Sequence, residues 1–190
     1  MNQFKIFQDA LEKTYSSLTV FSDMNWDDVA REYIAAHDER PKDLDDFIFN
    51  FPQFLQDKAS DGDCPSYMFE LAYFELLQNQ ILSTEMVLPT VVGLHLNPSL
   101  SFLNLEFDIN LMMDEAAKGS VQIFERPHVL CIYRHPVLGL HHVEISTPFL
   151  EILQLLEKGS IRRKQVVGEK IKVLEQLIEL GLVIEVTSKI

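Results

Sequence analysis

The chain has 190 residues and a formal charge of −13, and hydrophobic residues make up 47% of it, which is enough for a folded core. Residues 1–90 carry 17 acidic and 6 basic side chains, whereas residues 91–190 carry 12 and 10. An acidic first half repels a phosphate backbone, so the charge argues against a nucleic-acid partner. The sequence has no apolar run near the roughly 18 residues of a membrane helix, and no signal-peptide pattern. With 2 cysteines in no CxxC spacing, we expect a cytoplasmic protein without a membrane partner, disulfide or zinc framework.

The first half of the chain follows the three- and four-residue spacing of amphipathic helices. Asn25 and Asp43 are predicted N-caps. Arg40-Pro41 is predicted to end the helix between them, because the residue before a proline resists the helical conformation. Pro52 is typical of a first helical turn, so a new helix is expected there, and Pro65 is expected to open a long helix. The aromatic side chains expected in the core of these helices are Trp26, Phe47, Phe51 and Phe54.

The second half changes to the two-residue period of strands. Residues 101–110 alternate apolar and polar side chains up to Ile109, which predicts a strand with one solvated face, and VVGLHL predicts another strand before it. HVLCIYR and LHHVEIS flank HPVLG as a predicted hairpin. Thr147-Pro148 then predicts a helix start, with the threonine as N-cap. The residues expected to bury this helix are Phe149, Leu150, Leu153, Leu155 and Leu156. A further helix ends at Gly181, and LVIEV is predicted to be a strand.

These elements predict an α+β protein, in which an N-terminal all-helical domain precedes a small antiparallel sheet with a winged-helix-like helical unit. We place the helical domain at residues 1–88 and the α+β domain at residues 89–190. The order helix, turn, helix, strand from Pro148 to Val186 is that of a winged-helix unit. Such units read DNA in some proteins and bind peptides along a strand edge in others.

Three histidines near the predicted hairpin, His135, His141 and His142, are the best metal candidates. Adjacent residues of a strand point to opposite faces, so His141 and His142 do not both reach one ion. No Asp or Cys joins them at ligand spacing. We therefore expect polar hairpin residues and no metal site.

The sequence contains no Gly-rich phosphate loop and no nucleophile elbow. Glu70 and Glu75 lie on one predicted helix at a spacing that shares a face poorly, which favours structural over catalytic roles. Cys64 precedes Pro65 at a helix start, where a thiolate would be stabilised, but no His lies near it in sequence. We therefore predict no catalytic residue and no cofactor.

The segment from Arg162 to Lys172 is the one basic patch of the sequence. Its cations, opposed only by Glu169, are Arg162, Arg163, Lys164, Lys170 and Lys172. The patch is either a solvated helix face or a docking surface for an acidic segment or a phosphate backbone. The second interpretation keeps open an alternative function, a DNA-binding transcriptional regulator that uses the basic helix at 161–172.

Between Tyr15 and Ile81 the chain carries aromatic, proline and leucine positions in a fixed order. They are Trp26, Tyr33, Pro41, Leu44, the run FPQFL at 51–55 and the run LAYFE at 71–75. This series resembles a bacterial family labelled as carrying a DNA-binding domain, to which the MbnC-like proteins of methanobactin biosynthesis belong. The later stretch CIYRHPVLGLHHVEISTPFLEILQLLEKGSI, with LIELGLV, is similar to the second domain of that family.

The resemblance implies a role in the biosynthesis of ribosomal peptide natural products. Several relatives are partner subunits of multinuclear iron oxygenases, so the resemblance implies a heterodimer with a TIM-barrel metal-dependent oxygenase that holds the metal. The chain itself would be no enzyme; it would bind the leader segment of a precursor peptide and support the oxygenase. The DNA-binding regulator is the alternative, and an enzyme in its own right ranks third.

A peptide that binds as an added strand needs an exposed sheet edge, where main-chain hydrogen bonds give affinity and side-chain pockets give register. We expect this edge within residues 101–145, together with the surface around it. The predicted peptide- or partner-binding residues are Leu103, Leu105, Phe107, Ile132, Arg134, Arg162, Arg163 and Lys164.

Overall fold

A computed structural model describes residues 3–21, 25–36, 43–159 and 162–187. Its helices are α1 (Gln3–Thr14), α2 (Leu18–Phe21), α3 (Trp26–Ala36), α4 (Leu44–Asp61), α5 (Tyr67–Ser83), α6 (Ile109–Ala117), α7 (Thr147–Glu157) and α8 (Lys170–Glu179). Its strands are β1 (Gly93–Leu96), β2 (Ser101–Phe107), β3 (Glu125–His135), β4 (Gly139–Glu144) and β5 (Val183–Val186), and a short 3-10 helix spans Arg163–Gln165. The helix end predicted at Arg40-Pro41 lies outside the described residues. No helix among the described residues combines the length and the apolar character needed to cross a bilayer.

The chain divides into two compact units, the first with residues 1–79 and 105–127 and the second with residues 80–104 and 128–190. This division differs from the predicted break between residues 88 and 89. The strands β2 and β3 each have residues in both units, and α6 belongs to the first unit. A spacing pattern marks elements along the chain, but it does not show which distant elements pack together.

The strands form two antiparallel arrangements, and the predicted α+β class is confirmed. In the first, β1 pairs with β5 from Gly93 opposite Val186 to Leu96 opposite Val183. In the second, the strand order is β2-β3-β4, and the predicted hairpin is the β3–β4 pair, with Leu130 opposite Glu144. The helix, turn, helix, strand order from α7 to β5 is also observed.

The first unit has an aromatic core that α1, α3 and α4 enclose. The Tyr33 and Phe47 rings lie 4.6 Å apart, and those of Tyr15 and Phe51 lie 5.0 Å apart. The prediction of a core position is confirmed for Trp26, Phe47 and Phe51, which are all buried. Phe54 departs from it: the side chain is half-buried, with the Lys58 ammonium 5.7 Å from the ring centre.

The helix start predicted at Pro52 is wrong, because Pro52 lies inside the continuous helix α4. A proline within a helix has no N–H to donate to the carbonyl four residues earlier, which here belongs to Ile48. The Tyr15 hydroxyl donates to that Ile48 carbonyl at 2.6 Å. A side chain from outside the helix therefore replaces the missing backbone donor, and α4 continues through the proline.

Because the Tyr15 hydroxyl replaces the backbone donor that Pro52 lacks, the effects of mutating Tyr15 and Pro52 on the free energy of unfolding should be coupled. Tyr15→Phe leaves the Ile48 carbonyl without its donor, and we expect a loss of about 1–3 kcal/mol in the free energy of unfolding. In a Pro52→Ala background the new N–H of residue 52 reaches the same carbonyl, so the loss should fall below about 1 kcal/mol. Denaturant unfolding of the four proteins of this cycle measures both quantities.

The matched control for that cycle is Tyr33→Phe. The Tyr33 hydroxyl donates to the Phe47 carbonyl at 2.8 Å, but residue 51, four positions later, retains its own N–H within α4. We expect the effect of Tyr33→Phe to be the same with Pro52 or Ala at position 52. An equal loss for Tyr15→Phe in both backgrounds would contradict the proposed replacement of donors.

The second unit has an aliphatic core in which α7 packs against α8 and β1, and α8 packs against β5. Leu94, Tyr133, Leu153, Leu174 and Leu177 are among its buried members. The inward face predicted for α7 was partly wrong. Ile152, Leu153 and Leu156 are buried, whereas Leu150 and Leu155 are exposed. The helix begins at Thr147, one residue earlier than predicted.

The strand predicted up to Ile109 is also shorter than expected. The strand β2 ends at Phe107, and Asp108 becomes the N-cap of α6, with its carboxylate accepting the Leu111 N–H at 3.1 Å. The alternation of apolar residues continues to Ile109 because this residue is buried in the helix that follows. A short polar residue that can cap a helix therefore ended the strand earlier than periodicity suggested.

Gly181 ends α8 in a left-handed conformation, with φ +75°, directly against the ring of His135. A Cβ at this position would lie 2.4 Å from a carbon of that ring. Gly168 has a similar φ of +67° but nothing within 4 Å of an added Cβ. A substitution at Gly168 therefore introduces backbone strain alone, whereas the same substitution at Gly181 introduces backbone strain and steric overlap.

We expect Gly168→Ala to lower the free energy of unfolding by about 1–2 kcal/mol, since only the left-handed conformation is penalised. Gly181→Ala should lose about 1–3 kcal/mol more, because the added methyl group also displaces the His135 ring. Thermal or denaturant unfolding of both variants checks this order. Equal losses at the two positions would show that the ring does not confine Gly181.

Candidate peptide-binding site

The predicted sheet residues lie on two different strands. Leu105 and Phe107 on β2 are buried, and Leu103 is half-buried. Ile132 on β3 is fully buried and Arg134 on β3 is half-buried. Because β3 is the central strand of the β2-β3-β4 sheet, neither Ile132 nor Arg134 lies at an edge. These two predicted binding residues therefore lie on the central strand, and the outer strands are β2 and β4.

One end of β2 is already occupied by a buried carboxylate. The Glu70 side chain, only 4% exposed, accepts the Glu106 N–H at 3.1 Å and the Phe107 N–H at 3.2 Å. These donors are therefore not available to an added strand. Glu70 therefore has a structural role in this geometry, which is the role that its spacing from Glu75 favoured.

The strand β4 is the other outer strand of the sheet and pairs with β3 alone among the described strands. Beyond its end, the Ile145 N–H donates to the Val129 carbonyl at 2.8 Å. Antiparallel pairing alternates, so the backbone groups of His141 and Val143 also face β3, and those of Leu140 and His142 face outward. The strand GLHHVE contains neither proline nor lysine, two residues that commonly protect sheet edges.

The hairpin histidines serve the hairpin itself. His135 Nδ1 accepts the N–H groups of Val137 and Leu138 at 3.1 and 3.0 Å. His141 Nδ1 lies 2.7 Å from the Leu140 carbonyl oxygen. Within the described ranges, no group of three or more His, Cys, Asp or Glu side chains is arranged to hold a metal ion.

The basic patch is partly neutralised. The Arg163 guanidinium makes ion pairs with Glu175 at 2.8 Å and with Glu185 at 3.0 Å. Lys170 pairs with Glu151 at 3.1 Å. Arg162 and Lys164 are exposed. The structure thus places Arg162 and Arg163 beside the paired ends of β1 and β5, and Lys164 follows them in the short 3-10 helix.

A cavity of about 240 Å³ lies beside these cations. Its lining residues are Val92, Gly93, Arg162, Arg163, Glu185, Val186 and Thr187. The ends of β1 and β5 meet there, since Gly93 is opposite Val186. The run of basic residues in the sequence predicted the cations but not the cavity. The other residues that line the cavity belong to β1 and β5 and to the residues next to them, which the spacing of the basic residues does not reveal.

Comparison with known proteins adds no family. No protein-family model matches the chain, and no curated protein sequence matches it.

Cys64 lacks the environment of a nucleophile. Its thiol lies 3.4 Å from the Leu55 carbonyl oxygen, to which it donates. Burial raises the pKa of the Cys64 thiol, an effect larger than the opposite effect of the Lys58 charge. A raised pKa keeps the sulfur protonated, and the thiolate is the reactive form.

Glu75 is a second buried carboxyl group, and it joins two parts of the first unit. Its Oε1 accepts the Ser17 N–H at 3.0 Å and the Ser17 hydroxyl at 2.7 Å. Its Oε2 has no hydrogen-bond partner among the described residues. Burial raises the pKa of Glu75 above that of an ordinary glutamate, and the Ser17 hydrogen bonds offset this only in part. The group is therefore better tolerated as the neutral acid.

The raised pKa of Glu75 predicts a pH-dependent stability. The folded chain binds the Glu75 carboxyl proton more tightly than the unfolded chain does. The stability that this proton contributes to the folded state is complete below the ordinary glutamate pKa and is lost as pH rises through the raised pKa. Glu75→Gln, which stays neutral, should therefore gain stability relative to the natural chain between about pH 5 and about pH 8. Unfolding free energies at the two pH values measure the gain. The exposed Asp114→Asn serves as control, and an equal gain there would contradict the assignment to Glu75.

Proposed function

We propose that the chain is a non-catalytic partner protein that binds an extended peptide by adding it as a strand to β4. The observation that carries this proposal is the contrast between the outer strands: Glu70 occupies donors at one end of β2, whereas β4 pairs with β3 alone among the described strands and the Leu140 N–H lies on its outward side. Main-chain hydrogen bonds to an outer strand provide affinity for an extended chain.

The side chains of β4 suit a peptide with mixed apolar and polar residues. Leu140 and Val143 are half-buried and His142 is exposed. The adjoining turn presents Val137 and Leu138, which are 83% and 66% exposed. An apolar residue of a bound peptide would cover these two side chains, which water otherwise surrounds.

The natural peptide of this proposal is a precursor whose leader segment pairs with β4, and the second partner is a TIM-barrel metal-dependent oxygenase that modifies the precursor. The support for both comes from the resemblance of the FPQFL and LAYFE runs and of the hairpin-to-α7 stretch to partner subunits of such oxygenases. The chain would then supply recognition, and the oxygenase would supply the metal and the redox chemistry.

DNA binding ranks below peptide binding. Arg163 forms ion pairs with two carboxylates, and Lys170 forms an ion pair with one. A phosphate backbone at this surface would therefore meet less positive charge than the sequence suggests. Release of counterions from DNA depends on cations that are free to replace them.

The proposal is tested with a proline at the outward-facing position of β4. Linear peptides are first selected from a display library on the full chain, and Leu140→Pro is then compared with the natural chain. Removing one outward N–H should weaken binding by about threefold to tenfold, the equivalent of one lost backbone hydrogen bond. Isothermal calorimetry measures the affinity, and circular dichroism checks the fold.

Leu140→Ala is the matched control, since it removes the same side chain but keeps the backbone N–H. We expect its affinity to stay close to that of the natural chain. Amide hydrogen exchange should show protection in β4 when the peptide is bound. Protection confined to residues 1–79, or equal weakening by both substitutions, would overturn the strand-addition model.

A further inference from the structure

We infer that the cavity at the end of the β1–β5 pair is a binding pocket for a carboxylate of a peptide, with Arg162 as the residue that recognises the charge. This inference does not depend on strand addition at β4, because the pocket is formed by residues of β1, β5 and the short 3-10 helix.

The two arginines of the pocket have different roles. The Arg163 guanidinium is engaged by Glu175 and Glu185, so it is held in place and its charge is compensated. The Arg162 guanidinium makes no ion pair and no side-chain hydrogen bond within the described residues. Arg163 and Lys170 of the same basic segment pair with acidic side chains, whereas Arg162 lines a cavity.

The backbone of Arg162 is fixed before any ligand arrives. Its N–H donates to the Gln165 side-chain oxygen at 2.7 Å, and its carbonyl accepts the Gln165 N–H at 2.8 Å. These reciprocal bonds hold the start of the side chain in one position. Such preorganisation reduces the entropy lost when a ligand binds.

The other walls of the pocket define the ligand further. Val92 and Val186 provide apolar surface, and Val92 is 56% exposed without a ligand. The Glu185 carboxylate in the wall is occupied by Arg163. A guanidinium matches the planar, bidentate geometry of a carboxylate. The pocket therefore fits a carboxylate next to an apolar side chain, and a volume of about 240 Å³ accommodates one or two residues of a peptide.

Two sources supply this chemistry, the side chain of an acidic residue or the C-terminal carboxylate of a peptide. Three capped tripeptides distinguish them. The first has an acetylated Val-Leu-Glu sequence with an amidated C-terminus, the second has Gln with a free C-terminal carboxylate, and the third has Gln with an amidated C-terminus. The third carries no carboxylate and serves as the neutral control.

The experiment is a titration of the full chain with each tripeptide, followed by two-dimensional nitrogen–proton NMR spectra. We expect shifts of the Gly93 and Val186 amides and of the Arg162 side-chain N–H with the first or the second tripeptide. The third tripeptide should give none. Arg162→Gln should weaken binding about tenfold or more, as expected for a lost hydrogen bond to a charged group. Arg162→Lys should retain part of the affinity, since the charge remains but the bidentate geometry is lost.

Lys164→Gln is the matched control, because Lys164 is an exposed cation two residues away that does not line the cavity. Its affinity should stay near that of the natural chain. Equal weakening by Lys164→Gln would show a diffuse electrostatic attraction and would overturn the pocket. Unchanged binding in Arg162→Gln, or binding of the neutral tripeptide, would also overturn it. Because none of these readouts involves β4, a failure here is distinct from a failure of strand addition.

Discussion

The buried side chain of Asn97 holds the second unit together. Its amide nitrogen donates to the Arg134 carbonyl at 3.0 Å and to the Gly181 carbonyl at 2.8 Å. Its amide oxygen accepts the Ser99 N–H at 2.9 Å and the Ser99 hydroxyl at 2.7 Å. A buried amide with all its groups bonded is strongly directional, because leaving any of these groups unpaired is unfavourable. One residue thus fixes the end of β1, the end of β3 and the turn before β5 relative to one another.

Both candidate surfaces depend on that arrangement. The β3–β4 hairpin starts its turn at His135, whose ring packs on Gly181. The pocket beside Arg162 lies at the opposite end of β1 and β5, whose register continues from the Asn97 N–H bond to the Leu182 carbonyl at 2.9 Å. A shift of one residue in this register would exchange the inward and outward faces of both strands. Both proposed surfaces therefore depend on how this backbone is held, and the pocket depends in addition on the Arg162 side chain.

The acidic residues of the chain have two different structural uses. The buried carboxyl groups Glu70 and Glu75 bond to backbone N–H groups and hydroxyls, where they close a strand end and tie a turn. The exposed ones, such as Glu175 and Glu185, neutralise neighbouring cations. After this pairing the Arg162 guanidinium at the cavity has no ion pair among the described residues, and β4 pairs with β3 alone among the described strands.

The sequence by itself determined the classes and approximate positions of the elements, because these depend on local chemistry. Asp43 caps α4 as predicted, accepting the Asp46 N–H at 2.8 Å, and alternation located β2 and the hairpin. The tertiary structure decided what local patterns cannot contain. Pro52 stays inside a helix because Tyr15 donates to the carbonyl it leaves unpaired. One end of the outer strand β2 is occupied because Glu70 lies against it, and Arg163 is neutralised by glutamates of α8 and β5. The sequence Asn-Pro-Ser at 97–99 signals a turn, but the burial of its amide among three elements depends on contacts between distant parts of the chain.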